Sequence, residues 1–132
     1  MKGFWTDIAH DTLGNADYRR VLYTGKYSQL VLMALEPGEE IGQEVHPDND
    51  QFFRFEAGHG KVVIDGNGYD VQDGSAVVVP AGAEHNVINT SDGEPLKLCT
   101  IYSPPHHKDG MVRPTKQEAD TAPAEFDGNT TE

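Results

Sequence analysis

The sequence predicts a single all-β domain, a sandwich or barrel of short strands. Its 132 residues suit one domain with one hydrophobic core. Through the middle of the chain, runs of roughly four to eight apolar or β-branched residues are separated by Gly, Pro, Asn and Asp. No long stretch repeats its apolar residues with the period of an amphipathic helix. Strands this short and this regularly spaced favour a sandwich or barrel over a parallel sheet with crossover helices.

Residues 1–25 are predicted to form an N-terminal arm and a first strand. Asp17 to Thr24, DYRRVLYT, is predicted as a strand, with Phe4 to Ile8 as a shorter strand before it. His10 is placed in a short N-terminal loop. The chain begins without an apolar stretch ahead of a small-residue cleavage site, so we expect no secretory signal.

Residues 26–105 are predicted to form the barrel. Its strands are expected within five stretches, in chain order SQLVLMALEPGEE, QFFRFEAG, GKVVIDGNGYDV, DGSAVVVPAG and HNVINTSDGEPLKLCTIYSPP. The third stretch is predicted as a hairpin around Gly66–Gly68, and the fourth as a buried strand bracketed by turns. The fifth holds two strands joined by a turn at Ser91–Gly93, and two prolines stop the last one.

Residues 106–132 are predicted to form a loop, a short helix and a tail. Thr115 is followed three residues later by Glu118, which is the capping-box pattern of a helix start. The final stretch, PAEFDGNTTE, is polar and is expected to be a loose tail.

Charge and cysteine content narrow the class of protein. The formal net charge is −12, from 10 Lys and Arg against 22 Asp and Glu. This argues against nucleic acid as a partner, because phosphate binding needs a basic patch. No run approaches the length needed to span a membrane. The single cysteine, Cys99, is expected as a small core or sheet residue. One cysteine cannot form a disulfide within the chain, which fits a reducing cytoplasm.

The stretch GSAVVVPAGAEHNVIN carries the first functional signal. A strand runs into a Pro-x-Gly turn, and a histidine opens the next strand. The spacing resembles the second motif of the cupin family, whose fixed positions are all present as Gly74, Pro80, Gly82, His85 and Asn89.

The first cupin motif can be placed on the chain between Gly38 and Gly58. Its two histidine positions fall on Glu44 and His46, and its glutamate position falls on Gln51. The two motifs in order, with a short hairpin between them, make the chain similar to cupins over roughly residues 26–105. More particularly, it resembles small single-domain cupins often labelled mannose-6-phosphate-isomerase-like, a label that rests on fold analogy.

The resemblance implies a double-stranded β-helix, or jelly-roll barrel, that holds a divalent metal and pairs as a homodimer. By position, the implied ligands are Glu44, His46, Gln51 and His85. Loss of one imidazole shifts the preference toward manganese or ferrous iron, with zinc and nickel still open. Gln51 either binds the metal through its amide oxygen or orients a bound water, and both alternatives stay open.

Strand periodicity supports the proposed grouping. Glu44 and His46 are two residues apart and face one side of a strand, as do His85 and Val87 on another. The residues predicted to line an apolar pocket are Phe53, Phe55 and Val87, with Tyr102 and Gln51 as candidates for substrate contact. No general base is assigned.

Each candidate also has a plainer interpretation. Glu44 and His46 would then be solvated residues of an acidic turn, and His85 a buried histidine bonded to the backbone. Tyr102 would be a core tyrosine, also bonded to the backbone. The pair His106 and His107 is expected in an ordinary exposed loop, with reach over the barrel mouth as a proton shuttle kept as the alternative.

Three functions follow from these alternatives. The first is a metal-dependent enzyme acting on a small polar or carbonyl-containing molecule, by isomerase, decarboxylase or dioxygenase chemistry. The second is a non-catalytic module that binds a sugar or another small molecule. The third is a structural β-domain whose acidic loop is only surface.

Overall fold

A computed structural model describes all 132 residues as ten strands and two helices. The strands are β1 Arg19–Thr24, β2 Gln29–Leu35, β3 Glu44–Val45, β4 Asp50–Ala57, β5 His59–Ile64, β6 Asn67–Gln72, β7 Ala76–Val79, β8 Glu84–Asn89, β9 Leu96–Ser103 and β10 Val112–Arg113. The helices are α1 Ile8–Gly14 and α2 Lys116–Thr121. Neither helix has the length and apolar character needed to cross a membrane.

The strands form two antiparallel sheets. One sheet has six strands in the order β10-β1-β2-β9-β4-β7, and the other has four in the order β3-β8-β5-β6. Long-range pairs such as β2 with β9 and β5 with β8 wrap the chain into the two facing sheets of a jelly roll. The predicted all-β jelly-roll fold is confirmed.

The core lies between the sheets and follows the alternation of the strands. In β4, Gln51, Phe53 and Phe55 are buried, while Arg54 points outward and is exposed. Successive side chains of a strand point to opposite faces, so every second residue joins the core. The prediction that Gln51, Phe53 and Phe55 share one face of this strand is therefore confirmed.

The hairpin between β5 and β6 turns one residue earlier than predicted. Its two connecting residues are Asp65 and Gly66, with φ of 46° and 81°. Positive φ at both positions is the geometry of a type I′ turn, for which Asp-Gly is a preferred pair. Asn67 and Gly68, predicted within the turn, already pair in β6.

The N-terminal arm contains a helix where the sequence predicted a short strand. Residues 4–7 lie in no element, and Ile8 opens α1, so the prediction for Phe4 to Ile8 was wrong. The Asp7 side chain accepts a hydrogen bond from the backbone N–H of His10 and caps the helix. His10 is therefore a helical residue, and Thr12 is buried where α1 packs on β4 and β9.

Strand β7 is an edge strand, not the buried strand predicted from its valines. It pairs only with β4, at the end of the six-stranded sheet. Val79 is 2% exposed, but Val78 is 64% exposed because its side chain leaves the outer face of the sheet. An apolar run identifies a strand but does not show that both of its faces are covered.

The C-terminal segment holds the predicted helix. The Thr115 hydroxyl accepts from the backbone N–H of Glu118, which confirms the cap of α2. The stretch after it is not a loose tail. The Phe126 N–H donates to the His106 carbonyl, and the Thr131 N–H donates to the Thr24 carbonyl, so this stretch is bound along the barrel.

Candidate functional site

Glu44 and His46 meet at the end of β3. The pairing of β3 with β8 places Glu44 opposite His85. The Glu44 Oε2 atom lies 3.1 Å from Nε2 of His46, whose ring is buried while the carboxylate is partly exposed. The turn after His46 carries the chain into β4. The two side chains are therefore direct partners and not isolated residues of an acidic surface turn.

The environment keeps the Glu44 carboxyl ionised. Burial by itself would raise its pKa, because a charged group loses hydration. The hydrogen bond and charge of His46, followed by the charges of Arg19 and His85, lower the pKa below its ordinary value. The net result is a carboxylate held as an anion at the interior end of a strand.

His85 is fixed in one orientation by the backbone. Its Nδ1 atom lies 3.0 Å from the Ala83 carbonyl oxygen. A carbonyl only accepts, so Nδ1 carries the proton and Nε2 of a neutral ring keeps its lone pair. The ring is 4% exposed, and its centroid lies 5.3 Å from that of His46.

Gln51 presents an oxygen that has no protein partner. Its Nε2 donates to the Thr100 hydroxyl at 3.0 Å, which fixes the side chain. Its Oε1 is buried and accepts no hydrogen bond from the protein. Buried polar atoms are usually paired, and an orphan acceptor beside other donors marks a place for an ion or a water.

The histidines after β9 do not form the exposed loop that was the favoured prediction. The His106 ring packs 4.4 Å from the His46 ring and 5.3 Å from the Tyr102 ring, measured between centroids. His107 is buried, and its Nε2 lies 3.2 Å from the Tyr102 hydroxyl. Gln29, buried in β2, accepts from the backbone N–H groups of both histidines and holds this segment against the barrel.

Burial keeps this aromatic group neutral. It raises the pKa of Tyr102 to about 12, which keeps the hydroxyl protonated at neutral pH. It also lowers the pKa of His107 to about 2, with the charge of Arg19 as the next cause. The pKa of His106 is lowered by burial and by the charge of His46. The His107 ring is therefore neutral near pH 7.

The residues predicted to line a pocket are part of the hydrophobic core. Phe53, Phe55 and Val87 are fully buried, and Phe53 lies with its ring centroid 6.5 Å from that of His85. Among them, Phe53 is the apolar neighbour of the proposed ligand His85. Tyr102 belongs to the same core but has its hydroxyl on His107, not on the backbone.

The donors fit a divalent metal in type. Glu44 Oε2 and His46 Nε2 are 3.1 Å apart, which is a hydrogen-bond distance. The centroids of the His46 and His85 rings are 5.3 Å apart. No three His, Cys, Asp or Glu side chains stand together as a formed metal site. The fit rests on the donor types and on the free atoms of His85 and Gln51.

Arg19 is a partly buried residue on the inner sheet face that was not among the residues predicted for the site. It is the register partner of Met33, which is fully buried, so its side chain leaves β1 on the inner face. Its Nε is buried without a hydrogen-bond partner. The spacing of Arg19 and Val21 could have revealed its direction, because residues two apart on a strand share a face and Val21 is buried.

Comparison with known proteins agrees with the fold. Residues 31–102 match the family described as Cupin domain. The chain is 48% identical over 125 residues to the uncharacterized protein YrkC of Bacillus subtilis (strain 168), and 44% identical over 110 residues to the uncharacterized protein L612 of Acanthamoeba polyphaga mimivirus. These alignments cover 89% and 80% of this chain, and 66% and 68% of the relatives. The chain thus spans about two thirds of their length.

Solved structures extend this comparison. BH2720 from Bacillus halodurans superposes with a TM-score of 0.89 at 42% identity, covering 92% of this chain and 96% of that one. KdgF from Halomonas sp. superposes with a TM-score of 0.64 at 17% identity, covering 83% of this chain and 97% of that one. The second likeness is one of fold alone.

Proposed function

This chain belongs to the cupin family, and on that premise we propose that it is a metal-binding cupin acting on a small polar or carbonyl-containing molecule. The proposed ligands are Glu44, His46, Gln51 and His85. A mixed set of two imidazole nitrogens and two oxygens suits manganese or ferrous iron, and it also accepts zinc or nickel.

One observation carries the proposal. The His85 ring is oriented by the Ala83 carbonyl so that its Nε2 lone pair is free, and the Gln51 Oε1 nearby in the interior is an acceptor without a partner. A metal ligand histidine typically donates its other ring N–H to a carbonyl or carboxylate in this way. A purely structural role for His85 would explain its contact with Ala83, but it would not explain why the Gln51 Oε1 atom is buried without a partner.

The proposed ligand set does not select one reaction among isomerase, decarboxylase and dioxygenase chemistry. When bound, a divalent metal would act as a Lewis acid that polarises a carbonyl of the bound molecule. The chain's own groups would orient that molecule. Tyr102 offers a protonated hydroxyl held by His107, and the buried Phe53 ring supplies an apolar neighbour of His85.

Metal analysis tests the proposal. Purified protein should bind one divalent ion, and His46→Ala and His85→Ala should each reduce metal content at least tenfold. His59→Ala is the matched control, because His59 is exposed on β5 and its ring makes no hydrogen bond. If both site variants keep wild-type metal content, the site is wrong. Turnover of keto acids, sugar phosphates and phenolic diketones by metal-loaded and chelated protein then tests the enzymatic part.

A non-catalytic binding module is the second candidate, and one observation favours it. Tyr102 has a pKa of about 12 and His107 a pKa of about 2, so neither group changes charge near neutral pH. A proton-shuttling enzyme needs a group with a pKa near its working pH. Tight binding of a panel compound without metal-dependent turnover would support the module.

We also propose that the chain forms a homodimer in the cytoplasm. Register places Val78, Phe52, Ile101 and Leu30 in one row across the outer face of the six-stranded sheet. An apolar row on an outer face suits a self-complementary contact between two copies. The cytoplasmic location is supported by Cys99, which is free and buried.

A further inference from the structure

Arg19 is a partly buried arginine on the inner face of the six-stranded sheet. Arg19 stands opposite Met33 in the pairing of β1 with β2, and Met33 is fully buried. The next residue, Arg20, shows the contrast. Its side chain is 52% exposed and pairs with Asp17 at 3.6 Å. The two adjacent arginines therefore face opposite sides of the sheet, Arg20 toward solvent and Arg19 toward the barrel.

Arg19 has no anionic partner in the protein. The four ion pairs of the chain involve other residues, so no carboxylate oxygen lies within 4.0 Å of its side-chain nitrogens. Its Nε is buried without a partner, and its guanidinium carbon lies 5.2 Å from the centre of the Tyr18 ring. The residue as a whole is only partly buried, so its guanidinium keeps access to solvent while Nε is buried without a partner. The guanidinium is therefore free to bind an external anion.

The charge of Arg19 reaches the proposed site. For both Tyr102 and His107, burial has the largest effect on the pKa, and Arg19 has the largest electrostatic effect. Arg19 also acts on Glu44, but that carboxylate already pairs with His46. No lysine contributes to any of these groups. The interior thus offers an external anion one fixed positive charge.

We infer that Arg19 binds the carboxylate group of a small organic anion inside the barrel, beside Glu44, His46 and His85. A planar guanidinium matches a carboxylate through two parallel hydrogen bonds, and one positive charge balances its one negative charge. A phosphate, with nearly two charges, would be left undercompensated among acidic neighbours. The inference rests on the proposed function, because it names the ligand class of that same interior site.

The experiment compares carboxylates with their neutral analogues. Acetate, pyruvate and benzoate, their carboxamides, and inorganic phosphate are titrated into isotope-labelled protein, and dissociation constants are taken from NMR shifts. Each titration uses wild type, Arg19→Met, Arg19→Lys and the control Arg20→Met, both metal-free and zinc-loaded. Thermal unfolding without added anion and elemental analysis are recorded for every variant.

Arg19→Met should weaken binding of at least one carboxylate about 10- to 100-fold, the range of a charge-assisted hydrogen bond. Its carboxamide should bind wild type and Arg19→Met alike, and Arg20→Met should behave as wild type. Arg19→Met should unfold at about the same temperature without anion, because no ion pair is lost and Arg19 is only partly buried. Arg19→Lys should bind the carboxylate with intermediate affinity, since it keeps the charge and loses the fork.

Three results would overturn the inference. In the first, Arg19→Met binds the carboxylates as tightly as wild type does. In the second, wild type binds no carboxylate more tightly than the matching carboxamide. In the third, phosphate is the only anion whose binding depends on Arg19. A lower unfolding temperature of Arg19→Met with unchanged carboxylate affinity would likewise make Arg19 a structural cation. Metal content separates the two proposals. Arg19-dependent carboxylate binding by a protein that takes up no metal would reject only the metal site, and metal uptake with Arg19-independent binding would reject only this inference.

Discussion

The side-chain amide of Gln29 binds both backbone groups of His107. Its Oε1 accepts from the His107 N–H at 2.9 Å, and its Nε2 donates to the His107 carbonyl at 2.7 Å. The same amide also accepts from the His106 N–H and donates to the Thr24 hydroxyl. The Gln29 side chain thus makes backbone hydrogen bonds of the kind that a neighbouring strand would make. These bonds hold the segment whose rings pack against Tyr102 and His46.

Replacing Gln29 should therefore loosen this segment. We expect Gln29→Leu to lower the free energy of unfolding by about 3 kcal/mol, because several buried backbone groups lose their partners at once. Chemical denaturation measures this loss. Gln72→Ala, at an exposed glutamine of β6, is the control and should change stability by less than about 0.5 kcal/mol. A loss equal to that of the control would mean that Gln29 does not hold the segment.

His107 should make the fold sensitive to acid. Its pKa of about 2 in the folded protein lies below the ordinary 6.5 of the unfolded chain. Between these values the unfolded state binds a proton that the folded state excludes, so stability falls as pH drops below 6.5. One such group contributes a slope of up to about 1.4 kcal/mol per pH unit.

Denaturation between pH 6.5 and 4.5 should show a shallower slope for His107→Asn than for wild type. Asparagine keeps a polar partner near Tyr102 but does not titrate. His59→Asn, at an exposed histidine, should leave the slope unchanged. The same slope in all three proteins would show that His107 is not held neutral by burial.

The sequence was sufficient for strands β1, β2 and β4 to β9, although it also predicted a strand at residues 4–8 where the structure has none. The turn at Pro37 and Gly38 and the alternation of buried and outward residues in β4 depend on residues close together in the chain. Such features can therefore be recognised from the sequence. The two motif stretches predicted that Glu44 and His85 belong to one group, and β3 pairs them directly.

What the sequence did not show depends on contacts between distant residues. The position of His106 requires the Gln29 amide, 77 residues earlier in the chain. The inward direction of Arg19 follows from its pairing with Met33, and the exposure of Val78 from the edge position of β7. Helix α1 did have a local signal in Asp7, but the nearby Phe4 and Trp5 suggested a strand.

His85 should exist as the Nδ1–H tautomer in metal-free protein near neutral pH. The 3.0 Å contact with the Ala83 carbonyl requires a proton on Nδ1. Long-range ¹H–¹⁵N NMR of the imidazole rings distinguishes the two nitrogens. The exposed His59 ring, which makes no hydrogen bond, serves as the internal reference without a fixed tautomer. A proton on Nε2 of His85 would contradict the orientation on which the metal proposal depends.

The apolar row on the outer sheet face should hold two copies together. Phe52→Glu places a charge in the middle of that row and should convert a dimer into a monomer, since an unpaired charge in an apolar contact is unfavourable. Light scattering should report twice the 14.5 kDa chain mass for wild type and the single mass for the variant. Val112→Glu, on β10 at the opposite edge of the sheet, should stay dimeric. A monomeric wild type would end the dimer proposal.

Gly58 should tolerate substitution less well than Gly74, although both have positive φ, of 85° and 87°. An added Cβ at Gly58 would lie 2.5 Å from the Pro95 carbonyl oxygen and 3.0 Å from the Leu96 Cα, both backbone atoms that cannot turn away. At Gly74 it would meet nothing within 4 Å. Gly74→Ala therefore isolates the backbone strain, about 1–2 kcal/mol. Gly58→Ala adds the displacement of the strand start of β9 and should lose more than about 3 kcal/mol in chemical denaturation, or fail to fold. Equal losses would mean that strain alone, without the close approach of β9, requires glycine at position 58.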